Sequence, residues 1–141
     1  MKFSEYHINE DIKYNLEQLG FKKPTDIQFN SIPPILRGED VLAIAQTGTG
    51  KTAAFAIPII HLIHQRKNSK RTDFIQCIVM VPTHELALQI QEVFNQIANK
   101  TRVKTMCIFG GVEQEAQIET LYKGVDIVIA TPGRMFDLQH Q

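Results

Sequence analysis

The chain has 141 residues, 43% of them hydrophobic, with 15 basic and 15 acidic side chains and a formal charge of zero. That is length for one globular domain, and it excludes a multidomain machine, a bilayer span of roughly 18 apolar residues and a secreted precursor with an apolar leader. Zero net charge means that any nucleic-acid contact must come from a local group of basic residues, because the whole-molecule field supplies no attraction.

Taken in chain order, Glu10 to Leu19 reads as a helix closed by Gly20, and Thr25 to Leu36 as a second, short helix containing Pro33 and Pro34. With residues 1–38 as an amino-terminal flank, the segment Gly20-Phe21-Lys22-Lys23-Pro24-Thr25-Asp26-Ile27-Gln28 lies between and into these helices. A glutamine amide presents a donor beside an acceptor, which matches the N7 and N6 amino group of adenine and mismatches the two acceptors of guanine. Phe21 is an aromatic that could stack on such a base, a contact of about 1–3 kcal/mol. Taken alone, the commoner roles of these residues are core packing and solvated surface.

From residue 39 the pattern changes. Val41 to Ala45 is a short apolar run that reads as a buried strand, followed by Gln46-Thr47-Gly48-Thr49-Gly50-Lys51-Thr52 and a helix from Lys51 to His64. Glycines let backbone N–H groups turn toward an anion, the helix start adds positive potential, and a lysine reaches the outer phosphates. Thr52 can hold a magnesium ion through its hydroxyl. Ala45 stands where the strict phosphate-loop pattern has glycine. Pro58 is expected to kink this helix or end a regular segment. His61 and His64, three apart and without a third ligand nearby, read as surface or partly buried polar positions rather than a metal site. Gln65 to Asp73, carrying Arg66, Lys67, Lys70 and Arg71, reads as an exposed basic linker.

Three further apolar runs, Phe74 to Val81, Val103 to Phe109 and Val125 to Ala130, alternate with helical spacing over Glu85 to Ala98 and Glu113 to Tyr122, as in Leu86, Ile90, Val93 and Ile97. Strand-helix repetition of this kind predicts an α/β fold, a parallel sheet flanked by helices, with ligand loops at the carboxyl ends of the strands. Cys77 and Cys107 lie inside those runs and read as buried small hydrophobes. Thr83 and Thr131 each follow a strand and open a helix, so hydroxyls and unpaired N–H groups gather where a phosphate could sit, although each is also a plain helix cap. Arg134 adds a full charge beside Thr131.

Together these segments resemble the first RecA-like domain of the DEAD-box RNA helicases. Gly20 to Gln28 is similar to the Q motif, with Phe3 at its upstream aromatic; Ala45 to Thr52 fits motif I in the form A-x-T-G-x-G-K-T, which explains Ala45. Pro82 to Gln89 resembles motif Ia, Gly110-Gly111 the glycine pair, and Thr131-Pro132-Gly133-Arg134 motif Ib. The resemblance implies a P-loop RecA-like sheet over residues 39–141, ATP and Mg2+ as cofactors, and ATP-driven unwinding of RNA by the full-length enzyme. It implies that Gln28 reads adenine, Phe21 stacks on it and Thr25 ties the Q motif to the phosphate loop. Thr47, Gly48, Thr49, Gly50, Lys51 and Thr52 would wrap the phosphates, with Lys51 and Thr52 as the catalytic pair and Thr52 on the metal. Pro82, Thr83, Gly111, Thr131 and Arg134 would line the backbone of one RNA strand, positioning it without reading its sequence.

Two departures accompany the resemblance. His84 stands where the family has arginine, and an imidazole clamps phosphate less firmly than a guanidinium. The 141 residues contain no Asp-Glu-Ala-Asp segment, so the expectation is a truncated RecA-like domain that binds but does not hydrolyse. A non-catalytic nucleotide- or RNA-binding module is the rival reading. The strand Val41 to Ala45 is expected to lack its sheet neighbours, leaving the polypeptide marginal or prone to aggregate. The expected location is the cytoplasm, with no membrane attachment.

Overall fold

The structure is a computed structural model that describes residues 1–46, 50–69, 74–108, 114–122 and 124–132. A 3-10 turn at Phe3–Glu5 leads into α1 (Glu10–Gln18) and α2 (Asp26–Leu36). Asn9 caps α1 by accepting from the N–H groups of Asp11 and Ile12, and Thr25 caps α2. The remainder alternates: α3 (Lys51–Ser69), β1 (Cys77–Met80), α4 (His84–Ala98), β2 (Thr105–Ile108), α5 (Gln114–Tyr122) and β3 (Ile127–Ala130). The three strands form one parallel sheet in the order β1-β3-β2, with Cys77 and Thr105 both in register with Ile127. The crossover from β1 to β2 thus skips one position, and β3 fills the gap between them.

The two faces of the sheet bury different sets. Ile127 and Ile129 join Ile57 and Ile60 of α3, Phe94 and Ile97 of α4, and Ile12 and Leu16 of α1 in the main core. Val128 and Ala130 point the other way, packing with Met106, Ile108 and Leu121 of α5. The amino-terminal flank is thus part of the core. Asn15 fastens it further, its amide donating to the carbonyls of Ile97 (2.8 Å) and Asn99 (2.6 Å) at the end of α4.

At the amino ends of the strands Asp126, 3% exposed, draws several elements together. Its carboxylate accepts from Lys67 Nζ of α3 (2.9 Å), the Lys104 N–H before β2 (2.8 Å) and the Gln76 amide before β1 (3.4 Å). Its carbonyl accepts from the N–H groups of Gln76 and Cys77. A buried carboxylate met by a cation and several N–H groups is satisfied, and its desolvation is offset by those bonds.

Four sequence readings are corrected. Val41 to Ala45 is not a strand: no described strand lies beside it, and Leu42 and Ile44 stand 90% and 88% exposed. An extended run needs a hydrogen-bonded neighbour to become a strand, and β1, β2 and β3 pair only with one another. The helix expected to end at His64 continues to Ser69, taking up half of the expected linker. Lys67 explains the extension, because its bonds to Asp126 and to the Arg102 carbonyl (2.8 Å) dock that last turn on the sheet. Of the two outcomes expected at Pro58, a kink or an end, the end does not occur: α3 runs through it to Ser69, and its side chain is fully buried. The strands are also shorter than their apolar runs, and Phe74 and Ile75 are exposed before β1 begins.

Candidate nucleotide and RNA site

α2 starts with a reciprocal cap. Thr25 Oγ1 accepts from the Gln28 N–H (3.4 Å) while Gln28 Oε1 accepts from the Thr25 N–H (2.9 Å). This fixes the Gln28 side chain across the helix start, where its amide Nε2 donates to the carbonyl of Gly50 (3.2 Å). Gln28 is 3% exposed. The same Gly50 carbonyl accepts from the Ala54 N–H (3.2 Å), so Gly50 begins α3 and receives the Gln28 strut at one point.

Gly50 is demanded twice. Its φ of +83° is a left-handed conformation that glycine adopts freely, and a Cβ there would sit 2.4 Å from Gln28 Nε2. The absence of a side chain at Gly50 is therefore what lets the Gln28–Thr25 cap close on the start of α3. Lys51 and Thr52 follow as the first residues of α3, Lys51 exposed and Thr52 half-buried. The first N–H groups of a helix have no intrahelical partner and favour an anion. Thr47, Gly48 and Thr49 lie outside the described residues.

An amide has two donor hydrogens and two acceptor sites. The cap and the strut use one of each, which leaves one donor and one acceptor on Gln28, the complement of an adenine edge. Phe21 rests on Phe3 with ring centroids 6.4 Å apart and a tilt of 36°. Phe3 is buried, and its N–H donates to the Lys22 carbonyl (3.1 Å), so this aromatic supports the segment around Phe21 from beneath. Sequence reasoning missed the neighbours Asp26, Ile27, Asn30 and Ile44, which with Thr25 and Ala45 line a cleft of about 370 Å³ at the start of α2. Their only signal was adjacency to residues already singled out.

The second group gathers at the carboxyl ends of β1 and β3. Met80 is in register with Ala130, and the Val81 N–H donates to the Ala130 carbonyl (2.9 Å), so Pro82-Thr83 and Thr131 emerge side by side. Thr83 caps α4, its Oγ1 accepting from the Leu86 N–H (3.2 Å). A hydroxyl that accepts in a cap still has its own O–H to donate, so capping and phosphate contact are compatible. Thr83 and Pro82 are exposed, and Thr131 is half-buried with its N–H on the Ile108 carbonyl (3.2 Å). His84 is the exposed first residue of α4. Gly110, Gly111 and Arg134 lie outside the described residues.

The two cysteines, expected to be buried, are only half-buried, Cys77 on β1 and Cys107 on β2. Burial pushes the Cys77 thiol above its ordinary value and that of Cys107 up to about 11, and Cys107 Sγ donates to the Ala87 carbonyl (3.3 Å). Among the described residues no group of three His, Cys, Asp or Glu side chains is disposed to hold a metal ion. Among them, too, no helix is long and apolar enough to cross a membrane.

A parallel sheet between helices, with a glycine-shaped helix start clamped by an upstream glutamine, is the architecture of a RecA-like P-loop domain. Residues 25–141 match the family model described as DEAD/DEAH box helicase, and the chain belongs to that family. It is 42% identical over 135 residues to the DEAD-box ATP-dependent RNA helicase RhpA of Helicobacter pylori, covering 96% of this chain and 26% of that protein. Against the ATP-dependent RNA helicase CshA of Listeria monocytogenes it is 40% identical over 136 residues, covering 96% and 25%. Among solved structures, a DEAD box protein from Methanococcus jannaschii superposes with a TM-score of 0.87 at 38% identity, over 97% of this chain and 36% of that one. A hypothetical ATP-dependent RNA helicase from Sulfolobus tokodaii gives 0.82 at 37% identity, over 94% and 37%. The chain thus spans about a quarter of the length of the curated relatives it matches.

Proposed function

We propose that these 141 residues supply the adenine-reading, phosphate-holding and first RNA-contacting parts of a cytoplasmic ATP-dependent RNA helicase. In the intact enzyme, ATP binding and hydrolysis would be coupled to clamping one RNA strand and opening a short duplex. The observation that carries the reading is the hydrogen bond from Gln28 Nε2 to the Gly50 carbonyl, which joins the base-reading residue to the phosphate cradle. Family membership and the relatives' printed names support it.

In this reading Gln28 meets the adenine edge with its remaining donor and acceptor, and Phe21 covers the base face. Thr25 keeps the Q motif against the cradle. Gly50 would cradle the phosphates together with Thr47, Gly48 and Thr49, and Lys51 would balance the outer charge. Thr52 is the residue that would hold Mg2+, which supplies charge neutralisation on the phosphate oxygens when bound. Pro82, Thr83, Gly111, Thr131 and Arg134 take the sugar-phosphate backbone of one strand, so the contact is indifferent to base sequence.

The polypeptide of 141 residues is expected to bind without turnover, since phosphoryl transfer needs positioned charge on both sides of the reaction and the sequence holds no Asp-Glu-Ala-Asp. The test compares ATP, ADP and GTP binding with and without Gln28→Ala. Adenine preference in the parent chain and its loss in the variant are expected; no preference in the parent chain would remove the reading.

A further inference from the structure

The histidine pair on α3, which the nucleotide and RNA reading leaves unused, lies against the amino-terminal flank. The backbone N–H of Asn9 donates to His61 Nδ1 at 3.0 Å. A backbone amide can only donate, so this bond exists only when His61 Nδ1 carries a lone pair, which fixes a neutral ring with its proton on Nε2. An imidazolium has no lone pair in either ring orientation. It cannot accept from Asn9, and it would set two N–H groups against each other.

The position of Asn9 gives that bond leverage. Asn9 caps α1, and the residues before it carry Phe3, whose ring lies under Phe21 and whose N–H holds the Lys22 carbonyl. His61 is therefore a polar tie between the strap of residues 1–9 and α3, beside the apolar packing of Phe3, Tyr6 and Ile8 in the core. The surroundings do little to stabilise a charged ring: His7 from the strap and His64 from α3 line the same cleft of about 370 Å³. Glu10, the carboxylate among its described lining residues, is engaged by Lys13 Nζ at 3.3 Å.

We propose that His61 is a proton-operated latch, closed when neutral and open when charged, that positions the amino-terminal strap and through Phe3 the adenine-facing Q motif. The second half of this statement rests on the nucleotide reading above; the first half does not. Burial, and then the nearby His64, hold the His61 pKa below its ordinary value. The sign follows: the unfolded or released ring titrates near 6.5, so the latch's contribution is complete above about pH 6.5 and is lost as pH falls through the depressed folded value.

The experiment follows the Asn9 amide by hydrogen exchange in the 141-residue chain at about pH 7.5 and about pH 5.5, corrected for intrinsic exchange, with the Ile129 amide of β3 as internal control. Wild-type protection at Asn9 is expected to fall about five- to tenfold in acid, as for loss of one net hydrogen bond, while Ile129 holds. His61→Gln, whose amide oxygen accepts without titrating, is expected to stay protected at both values, and His61→Phe to be loose at both. Wild-type protection that ignores pH, or a Gln variant that titrates like wild type, would overturn the latch. A parallel arm measures adenosine affinity, since adenosine carries no phosphate to titrate: weakening in acid for wild type but not for His61→Gln supports the coupling. Adenosine binding that is the same at both values overturns the coupling. A titrating Asn9 with no adenosine binding at either pH sustains the latch and removes the nucleotide reading.

Discussion

Two apolar runs of nearly the same character end differently in this molecule. Val41 to Ala45 and Ile127 to Ala130 are both short and aliphatic, and each precedes a segment singled out in the sequence, Gln46 to Thr52 and Thr131 to Arg134. The second is buried along its whole length, paired on both sides and packed on both faces, whereas the first exposes Leu42 and Ile44 almost fully. The difference lies in neighbours rather than in composition. An aliphatic run is permission to form a strand, and hydrogen-bonded partners on its edges are what convert permission into structure.

The sharpest way to break this comparison is at the foot of β3. Asp126→Ala removes the acceptor shared by Lys67, Lys104 and Gln76 and leaves a partly buried ammonium without its carboxylate. A loss of about 3–5 kcal/mol is expected in denaturant unfolding; a loss within error of zero would mean that the strands are pinned by packing alone.

Truncation along the two runs comes next. Ile129→Ala empties a fully buried site and is expected to cost about 2–5 kcal/mol, whereas Ile44→Ala, at 88% exposure, is expected to stay within about 0.5 kcal/mol. Equal losses at both positions would show that 41–45 is packed in solution and would end the contrast. A loss well below that at Ile129 is expected at Thr83→Ala, which removes the cap on Leu86 for about 1 kcal/mol while weakening single-stranded RNA binding. Lost stability with unchanged RNA affinity at fixed salt would leave Thr83 as a cap and nothing more.

Much of this was legible in the sequence because it is local. Thr25 and Thr83 announce helix starts, the apolar spacing of α4 finds Ile90 and Ile97 of its buried face but also names Leu86, which is exposed, and Gly50 declares a backbone conformation that a side chain would oppose. That Gln28 lies against the start of α3 was suggested only by the motif resemblance, since nothing in the composition says that a glutamine will reach Gly50, 22 residues away. What was not legible is long-range. Lys67 reads as part of a basic linker until Asp126, 59 positions later, is seen to receive it. His61 reads as an idle polar residue until the Asn9 amide arrives from 52 positions earlier. Val41 to Ala45 misleads for the converse reason, since its pattern promises partners that no described strand provides.

The knot around Asp126 closes one pole of the sheet, where Lys67, Lys104 and Gln76 converge on a single carboxylate. Thr83 and Thr131 emerge at the opposite rim, and there the Val81 N–H on the Ala130 carbonyl and the Thr131 N–H on the Ile108 carbonyl keep the strand ends laced together, so the spacing of the two hydroxyls is set by backbone bonds rather than by side chains.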